Sequence, residues 1–322
     1  MRRQRLLTSA AALAGAALFV YAVRRAGVAD IVHAVQRVGW GMVLILAIAG
    51  VRFVIRAECW RWCLPPETAL PLRRTLTAFL AGDAVGNVTP LGLLASEPTK
   101  VLLTRHHLAT RDSVASLAVE NLVYAASVLA MIAIGLVVLA ANVAMPTPWR
   151  LALIAVLAAM IVGTAIAVRA MRGTWDPRRG ARPRWRERLA TLRDETVRFP
   201  GLSRERLWRV FGLDLLFHAC AVFEVYVTLR WLLADRSPTV AQAIVFEALN
   251  RVITVAFKFV PFRVGIDEAS AGALAPILSV NPAAGVALAV VRKVRNLFWA
   301  AIGLMLVAAH PAEGANTPKS VS

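Results

Sequence analysis

Two apolar stretches of this sequence place a carboxylate shortly after a residue that interrupts a helix. Glu97 stands seven residues after Pro90, and Glu268 stands seven residues after Pro261. Polar groups beside a broken helix at membrane depth are tolerated where they line a cavity or pack inside the protein. The sequence therefore predicts two related helical hairpins that present carboxylates to one polar space.

The start of a half-helix beside each glutamate would bring anion-binding chemistry to that space. Free backbone N–H groups and the positive end of the helix dipole favour a phosphate or a carboxylate. Ser96 is a favourable N-cap before Pro98, and Asp267 can cap the second half-helix in the same way. Each glutamate could then accept hydrogen bonds from those N–H groups, pair with a basic headgroup, or carry a proton. The alternative is that they only begin a helix, and the repeated spacing argues against it.

Charged residues deep in the predicted helices extend the candidate site. A charge at the centre of a membrane helix costs ~2.5–3.5 kcal/mol on insertion scales. Glu120 follows Glu97 by 23 residues and Arg292 follows Glu268 by 24, so we predict that Glu120 and Arg292 pair in a shared cavity. The alternative is that each meets headgroups or loop backbone separately. The candidate substrate-binding residues are Asn87, Glu97, Lys100, Glu120, Asp267, Glu268 and Arg292, and the helix-breaking residues are Pro90, Gly92, Pro261 and Gly265.

Other polar residues in the apolar runs have simpler interpretations. Arg52 and Arg56 are one turn apart near a predicted interface, which favours extension of both side chains to the headgroups. Asp214 and His218 are also one turn apart, and a local hydrogen-bonded pair is favoured over a proton relay or a metal site. The three cysteines lie outside any dense Cys/His cluster. We expect no disulfide framework, no metal and no cofactor.

The elements that hold these residues are predicted to be membrane helices. The chain is 58% hydrophobic with a mean hydropathy of +0.63, and several runs reach the ~20 residues that cross a bilayer. The predicted fold is an all-α integral membrane protein with about six transmembrane helices and two re-entrant helical hairpins. The net charge is +18, and thirteen arginines fall within residues 169–209. An anionic membrane surface, and not nucleic acid, is the expected partner of that charge.

The predicted segments follow one another along the whole chain. The basic N-terminal residues and the apolar run after them resemble a signal peptide without a cleavage site, so we expect a retained first helix. The segments are a transmembrane and an interfacial helix in 1–38, a first repeat in 39–141 with a hairpin at 72–106, a linking helix and basic segment in 142–206, a second repeat in 207–309 with a hairpin at 240–280, and a polar tail in 310–322.

The distribution of positive charge predicts the topology. With both termini cytoplasmic and both hairpins re-entrant, residues 169–209 lie inside and the loop 142–148, which has no Lys or Arg, lies outside. The two repeats then share the order span, hairpin, span but face opposite ways. Inverted repeats of this kind form transporters whose sites lie at the repeat interface near the bilayer centre.

The order of these motifs resembles a known family. Asn87 and Pro90 precede Ser96-Glu97-Pro98-Thr99-Lys100, Pro261 precedes Gly265 and Glu268, and Arg292 stands eleven residues before Gly303. With these motifs, residues 28–309 resemble the flippase-like integral membrane family, the family of the lysylphosphatidylglycerol synthase transmembrane region. Ser96 stands where that family has Gly, and Lys100 stands where it has Arg.

The resemblance implies a protein of the bacterial inner membrane that moves a polar-headed lipid between leaflets. Known members translocate an aminoacylated phosphatidylglycerol, and others are associated with hopanoid or glycolipid pathways. Because about thirteen residues follow the last predicted span, we expect lipid handling without an aminoacyl-transferase domain. An accessory subunit that holds a lipid for a partner biosynthetic enzyme, or a homo-oligomer, is the alternative. An enzyme is disfavoured, since the sequence lacks a metal cluster, a nucleophile motif and a phosphate loop.

Overall fold

The structure is a computed structural model that describes most of the chain between residues 36 and 309. The described residues are 29, 33, 36–68, 70–89, 92–144, 146–172, 203–233, 236–257, 260–263 and 265–309. The predicted first transmembrane helix, most of the interfacial helix, Pro90, the middle of the basic segment and the polar tail lie outside them.

Regular structure in the described residues is helical, which confirms the predicted all-α class. The α-helices are α1 (Gly41–Cys63), α2 (Leu72–Val88), α3 (Gly92–Thr104), α4 (Thr110–Asn142), α5 (Thr147–Arg172), α6 (Arg204–Leu232), α7 (Val240–Ala256), α8 (Ile266–Ile277) and α9 (Pro282–Ala309). A short 3₁₀ turn, Pro261–Arg263, stands between α7 and α8.

Side-chain caps fix where several of these helices begin. The Ser203 hydroxyl accepts the N–H of Arg206 at 3.2 Å before α6. At α7, the Thr239 hydroxyl accepts the N–H of Gln242 at 3.1 Å, and the Gln242 side chain accepts the N–H of Thr239 at 2.8 Å. These contacts satisfy backbone donors that have no partner inside the helix.

Among the described residues, two helices have the length and composition to cross a membrane by themselves. They are α4, with 33 residues, and α6, with 29 residues. The helices α1 and α9 are also long, with 23 and 28 residues, but each carries several charged residues in its middle. Those charges lie on the faces that pack inside the protein, as described below.

The two predicted hairpins consist of shorter helices. The first is formed by α2 and α3, with 17 and 13 residues, and the second by α7 and α8, with 17 and 12 residues. Each helix is shorter than the ~20 residues of a complete span. In the first hairpin α2 and α3 touch through glycines, because a Cβ atom on Gly92 would lie 2.2 Å from the carbonyl oxygen of Gly86.

In each hairpin, the second helix begins at a different residue from the one predicted. The helix α3 begins at Gly92, so Ser96 lies inside it and is not an N-cap. The helix α8 begins after Gly265, which has φ +85°, so Asp267 lies in the first turn and is not the cap. Glycine reaches this φ without steric cost, which explains why the chain turns there. The equal spacing from proline to glutamate therefore does not give Glu97 and Glu268 equivalent helix positions.

Close contacts also join the first and second halves of the chain. A Cβ atom on Gly303 of α9 would lie 2.3 Å from the carbonyl oxygen of Leu80 on α2. A Cβ atom on Gly135 of α4 would lie 2.0 Å from the Cβ of Ala248 on α7. Small residues allow membrane helices to approach this closely. The helices α1 and α6, which begin the two halves, also pack together.

Candidate functional site

Arg56 on α1 lies between two buried carboxylates from different helices. Its Nη2 atom is 2.5 Å from Oε1 of Glu120 on α4. Its Nη1 atom donates a 3.0 Å hydrogen bond to Oδ1 of Asp214 on α6. Glu120 and Asp214 are completely buried. These three residues, which we call the Arg56 triad, bring two acids to one cation.

Glu224 on α6 has the opposite balance, since it lies between two arginines. Arg52 on α1 donates a 2.9 Å hydrogen bond to Oε2 of Glu224. Arg295 on α9 donates to the other oxygen, Oε1. One carboxylate thus connects α1, α6 and α9.

Glu247 on α7 also lies between two arginines. Arg251, one turn later on the same helix, donates to its Oε1 atom. Arg292 on α9 donates to its Oε2 atom at 2.7 Å. All three side chains are buried. The arrangement repeats that of Glu224, with cations in excess over the acid.

Two aromatic rings connect these groups. Arg56 lies over the ring of Tyr124, with its guanidinium carbon 3.7 Å from the centroid, and Arg251 donates a 3.1 Å hydrogen bond to the Tyr124 hydroxyl. The ring of Phe217 faces Arg52 at 4.5 Å and Arg251 at 5.2 Å. Arginines over aromatic faces gain a cation–π attraction that increases when water is excluded.

Together these residues form one buried set of charges in the interior of the helical assembly. We call it the central network: Arg52, Arg56, Glu120, Asp214, Glu224, Glu247, Arg251, Arg292 and Arg295. Buried ion pairs are costly to desolvate, and apolar residues of similar size are often at least as stabilising. So many charges inside predicted membrane helices therefore suggest a function other than packing.

In the second hairpin, Glu268 makes two contacts. Its Oε2 atom accepts the backbone N–H of Gly265 at 2.9 Å, and its Oε1 atom pairs with Lys293 on α9. Asp267 pairs with Arg263 at 3.1 Å. The glutamate does satisfy a backbone N–H at the helix start, as one of the sequence-based alternatives proposed, and it also ties α8 to α9.

In the first hairpin, Glu97 pairs with Lys100 on the same helix at 2.8 Å. Lys100 is buried and lies 4.1 Å from the ring centroid of Phe79 on α2. The predicted site residue Asn87 donates a 2.8 Å hydrogen bond to Asp83 on the same helix. The Oε2 atom of Glu97 is buried and accepts no hydrogen bond from the described residues.

A cavity of about 560 Å³ lies between α3 and α4. Its walls are formed largely by apolar side chains such as Val101, Val114 and Leu117, and Glu97 and Asn121 also line it. Of the predicted substrate-binding residues, Glu97 lines this cavity, whereas Glu120 and Arg292 belong to the central network.

The predicted pair of Glu120 with Arg292 is wrong. Glu120 contacts Arg56, and Arg292 contacts Glu247, although both belong to the central network. The two residues have nearly equivalent positions in the predicted repeats, but each pairs with a residue of opposite charge from a helix that the spacing does not reveal.

Two further interpretations from the sequence are also wrong. Arg52 and Arg56 do not extend to the headgroups, because both are held in buried ion pairs. Asp214 and His218 do not bond to each other. Asp214 accepts from Arg56, and His218 lies 3.1 Å from the hydroxyl of Ser127 on α4.

Glu247 and Arg251 were not predicted as site residues. Their signal is a Glu and an Arg one turn apart in a largely apolar helix, which is a favourable ion-pair spacing. Glu224 and Arg295 were not predicted as site residues either, and their contact joins residues 71 positions apart. Spacing along one helix can reveal the first pair but not the second.

The described residues contain no group of three or more His, Cys, Asp or Glu side chains that could hold a metal ion. The family model of the lysylphosphatidylglycerol synthase TM region matches residues 7–303. No curated protein and no solved structure shows a significant match to the chain.

Proposed function

Because the chain belongs to the family of the lysylphosphatidylglycerol synthase transmembrane region, we propose that it moves a polar-headed lipid between the two leaflets of the bilayer. It is a helical membrane protein of a lipid-related family. The proposed path of the headgroup passes the central network, while the acyl chains stay in the surrounding lipid.

One observation carries this proposal: Glu224 and Glu247 are buried, and each lies between two arginines. A guanidinium group binds a phosphate with the same paired N–H groups that bind a carboxylate. A headgroup phosphate can therefore enter beside either glutamate and pair with the same arginines. The phosphate neutralises the surplus positive charge there while the glutamate keeps an arginine partner, which lowers the cost of passing a charge through the interior.

The arrangement of helices supports two repeats of inverted topology. Helices α1 to α4 and α6 to α9 have the same order of long helix, two short helices and long helix. The contact of α2 with α9 has its counterpart in the contact of α7 with α4. We propose that these units face opposite ways and that the lipid passes where they meet.

The residues of the hairpins complete the proposed path. Lys100 and Glu97 in the first hairpin, and Glu268 with Asp267 in the second, are proposed to contact the headgroup before or after it reaches Arg292. Asn87 takes the same proposed role beside Asp83. Residues 169–209 are proposed to rest on the anionic cytoplasmic surface of the bacterial inner membrane, with both termini on that side.

A leaflet-resolved assay tests the proposal. The purified full chain is reconstituted into phosphatidylcholine liposomes that contain a trace of phosphatidylglycerol with a fluorescent acyl chain. A membrane-impermeant reductant then destroys the dye in the outer leaflet. We expect the protein to bring the inner-leaflet lipid outside, so that the final loss exceeds that of protein-free liposomes. Equal losses would contradict translocation, and lipid retained on the purified protein would then favour the accessory role.

A matched pair of variants tests whether the central network takes part. Arg292→Lys keeps the charge but removes the planar fork that holds Glu247, and we expect the rate to fall about tenfold, equivalent to ~1.4 kcal/mol. Arg209→Lys makes the same change in an exposed pair with Glu205 and should leave the rate unchanged. Equal rates in both variants would remove Arg292 from the path.

A further inference from the structure

We propose that the Arg56 triad binds a single proton, shared by the Glu120 and Asp214 carboxyl groups, and is the proton site of this protein. The proton site would let a proton gradient drive the lipid movement proposed above, and this coupling rests on the proposed function. Proton binding at the triad does not depend on lipid movement.

The Arg56 triad has more acidic than basic groups. With both carboxylates ionised, two negative charges face the one positive charge of Arg56. Two carboxylates held at one site resist joint ionisation, and the pair then shares a proton. Binding of one proton to a carboxylate oxygen changes the charge of the two acids from −2 to −1, which Arg56 balances.

The two acids of the triad also have oxygen atoms that accept no hydrogen bond from the described residues. Neither oxygen of Glu120, nor Oδ2 of Asp214, accepts a hydrogen bond from the described residues, although all three atoms are buried. The 2.5 Å approach of Arg56 to Glu120 is thus a charge contact without hydrogen-bond geometry. A buried carboxylate oxygen that accepts no hydrogen bond is costly, and a proton on the carboxyl group removes its charge and supplies a donor.

The surrounding groups do not supply the missing charge. On the packed helices they are Cys59 and Cys63 on α1, Glu97 and Lys100 on α3, Tyr124 on α4, His218 on α6 and Arg251 on α7. Glu97 and Lys100 pair with each other, so their charges cancel. Cys59 donates weakly to Oδ1 of Asp214 at 3.6 Å, which is not one of the unpaired atoms. Arg251 pairs with Glu247, and its hydrogen bond toward the triad goes to the Tyr124 hydroxyl and not to either carboxylate.

Tyr124 connects the proton site to the arginines that are proposed to bind the headgroup. Arg56 lies on one face of the Tyr124 ring, and Arg251 holds its hydroxyl. The surplus positive charge around Glu247 and Glu224 weakens proton binding at the triad but does not balance its charge. An anionic headgroup that neutralises this surplus would strengthen proton binding, so the triad would hold its proton more tightly when the headgroup is present.

Infrared spectroscopy of the full chain in lipid nanodiscs tests the proton site without a transport assay. Difference spectra between acidic and alkaline pH should show the carbonyl band of a protonated carboxyl group that is lost at high pH. We expect Glu120→Gln and Asp214→Asn each to abolish the band, because either change leaves one acid paired with Arg56. Glu205→Gln, in the exposed pair with Arg209, should keep it.

The possible results separate the proton site from the proposed function. Absence of the band from the wild type, or its persistence in either triad variant, would overturn the shared proton even if the protein moves lipid. Loss of the band in both triad variants would establish the proton site even if no lipid movement is found.

Discussion

Arg292 donates a 2.7 Å hydrogen bond to Glu247, within the second half of the chain. The pairs that cross from the first half to the second are different. They join Arg52 and Arg56 of α1 to Glu224 and Asp214 of α6, the two helices that begin the halves. A movement of one half against the other must therefore change the partners of the α1 arginines, while the Arg292 pair can move as part of its own half.

Glu224→Gln should destabilise the protein strongly. The change leaves Arg52 and Arg295 buried without their carboxylate, and breaking a buried ion pair costs about 3–5 kcal/mol. The unfolding midpoint of the purified protein in detergent measures the loss. The second change Arg295→Met removes one of the stranded cations, so the double variant should be more stable than Glu224→Gln alone. A double variant that is less stable would show that Glu224 does not balance Arg295.

Tyr124→Phe should separate the two functions of this side chain. The ring remains under Arg56, but the acceptor for Arg251 is lost, at a cost of about 1.5–3 kcal/mol for a hydrogen bond to a charged group. Tyr124→Leu removes the ring as well and should cost more. Unfolding midpoints of the two variants provide the comparison, and equal midpoints would mean that the ring contact with Arg56 contributes nothing.

Much of the helical framework can be predicted from the sequence, because runs of apolar residues and helix breakers have local signatures. The second repeat was expected to end at residue 309 after its hairpin, and α9, which follows that hairpin, ends at Ala309. The long helix that carries Glu120 was also expected and extends from Thr110 to Asn142. The start of α3 was not, because Gly92 was taken as part of a break and Ser96 as the stronger cap. Packing of Gly92 on Gly86 determines that start, and such a contact has no local signature.

The site was predicted only in part, for a related reason. Glu120 and Arg292 were identified because isolated charges stand out in apolar helices. Their partners could not be identified in this way, because Arg56 and Glu247 reach them from other helices. A charged residue near the end of an apolar run, such as Arg56, can either form a buried ion pair or extend to the membrane interface. The sequence pattern does not distinguish these two positions. Only the packing of α1 against α6 decides the question.

Gly303→Ala should weaken the contact between α9 and the first hairpin. The added Cβ atom would lie 2.3 Å from the carbonyl oxygen of Leu80, so α9 and α2 must separate. Overpacking of this kind costs about 1–3 kcal/mol. Gly212→Ala is the matched control, because no atom lies within 4 Å of a Cβ atom at that helical position. The control should keep or raise the unfolding midpoint, and a similar fall in both variants would indicate that crowding at Leu80 is not the cause.

The affinity for an anionic lipid should increase as the pH falls. If a proton binds to the Arg56 triad when a headgroup phosphate pairs with the nearby arginines, lower pH favours the complex by linkage. The charge of the phosphodiester itself does not change near neutral pH, so the dependence must come from the protein. Titration of the purified chain with a short-chain phosphatidylglycerol, followed by intrinsic tryptophan fluorescence, gives the affinity at each pH. Glu120→Gln should make the affinity nearly independent of pH, and Glu205→Gln should retain the wild-type slope. A slope that survives in Glu120→Gln would place the coupled proton elsewhere.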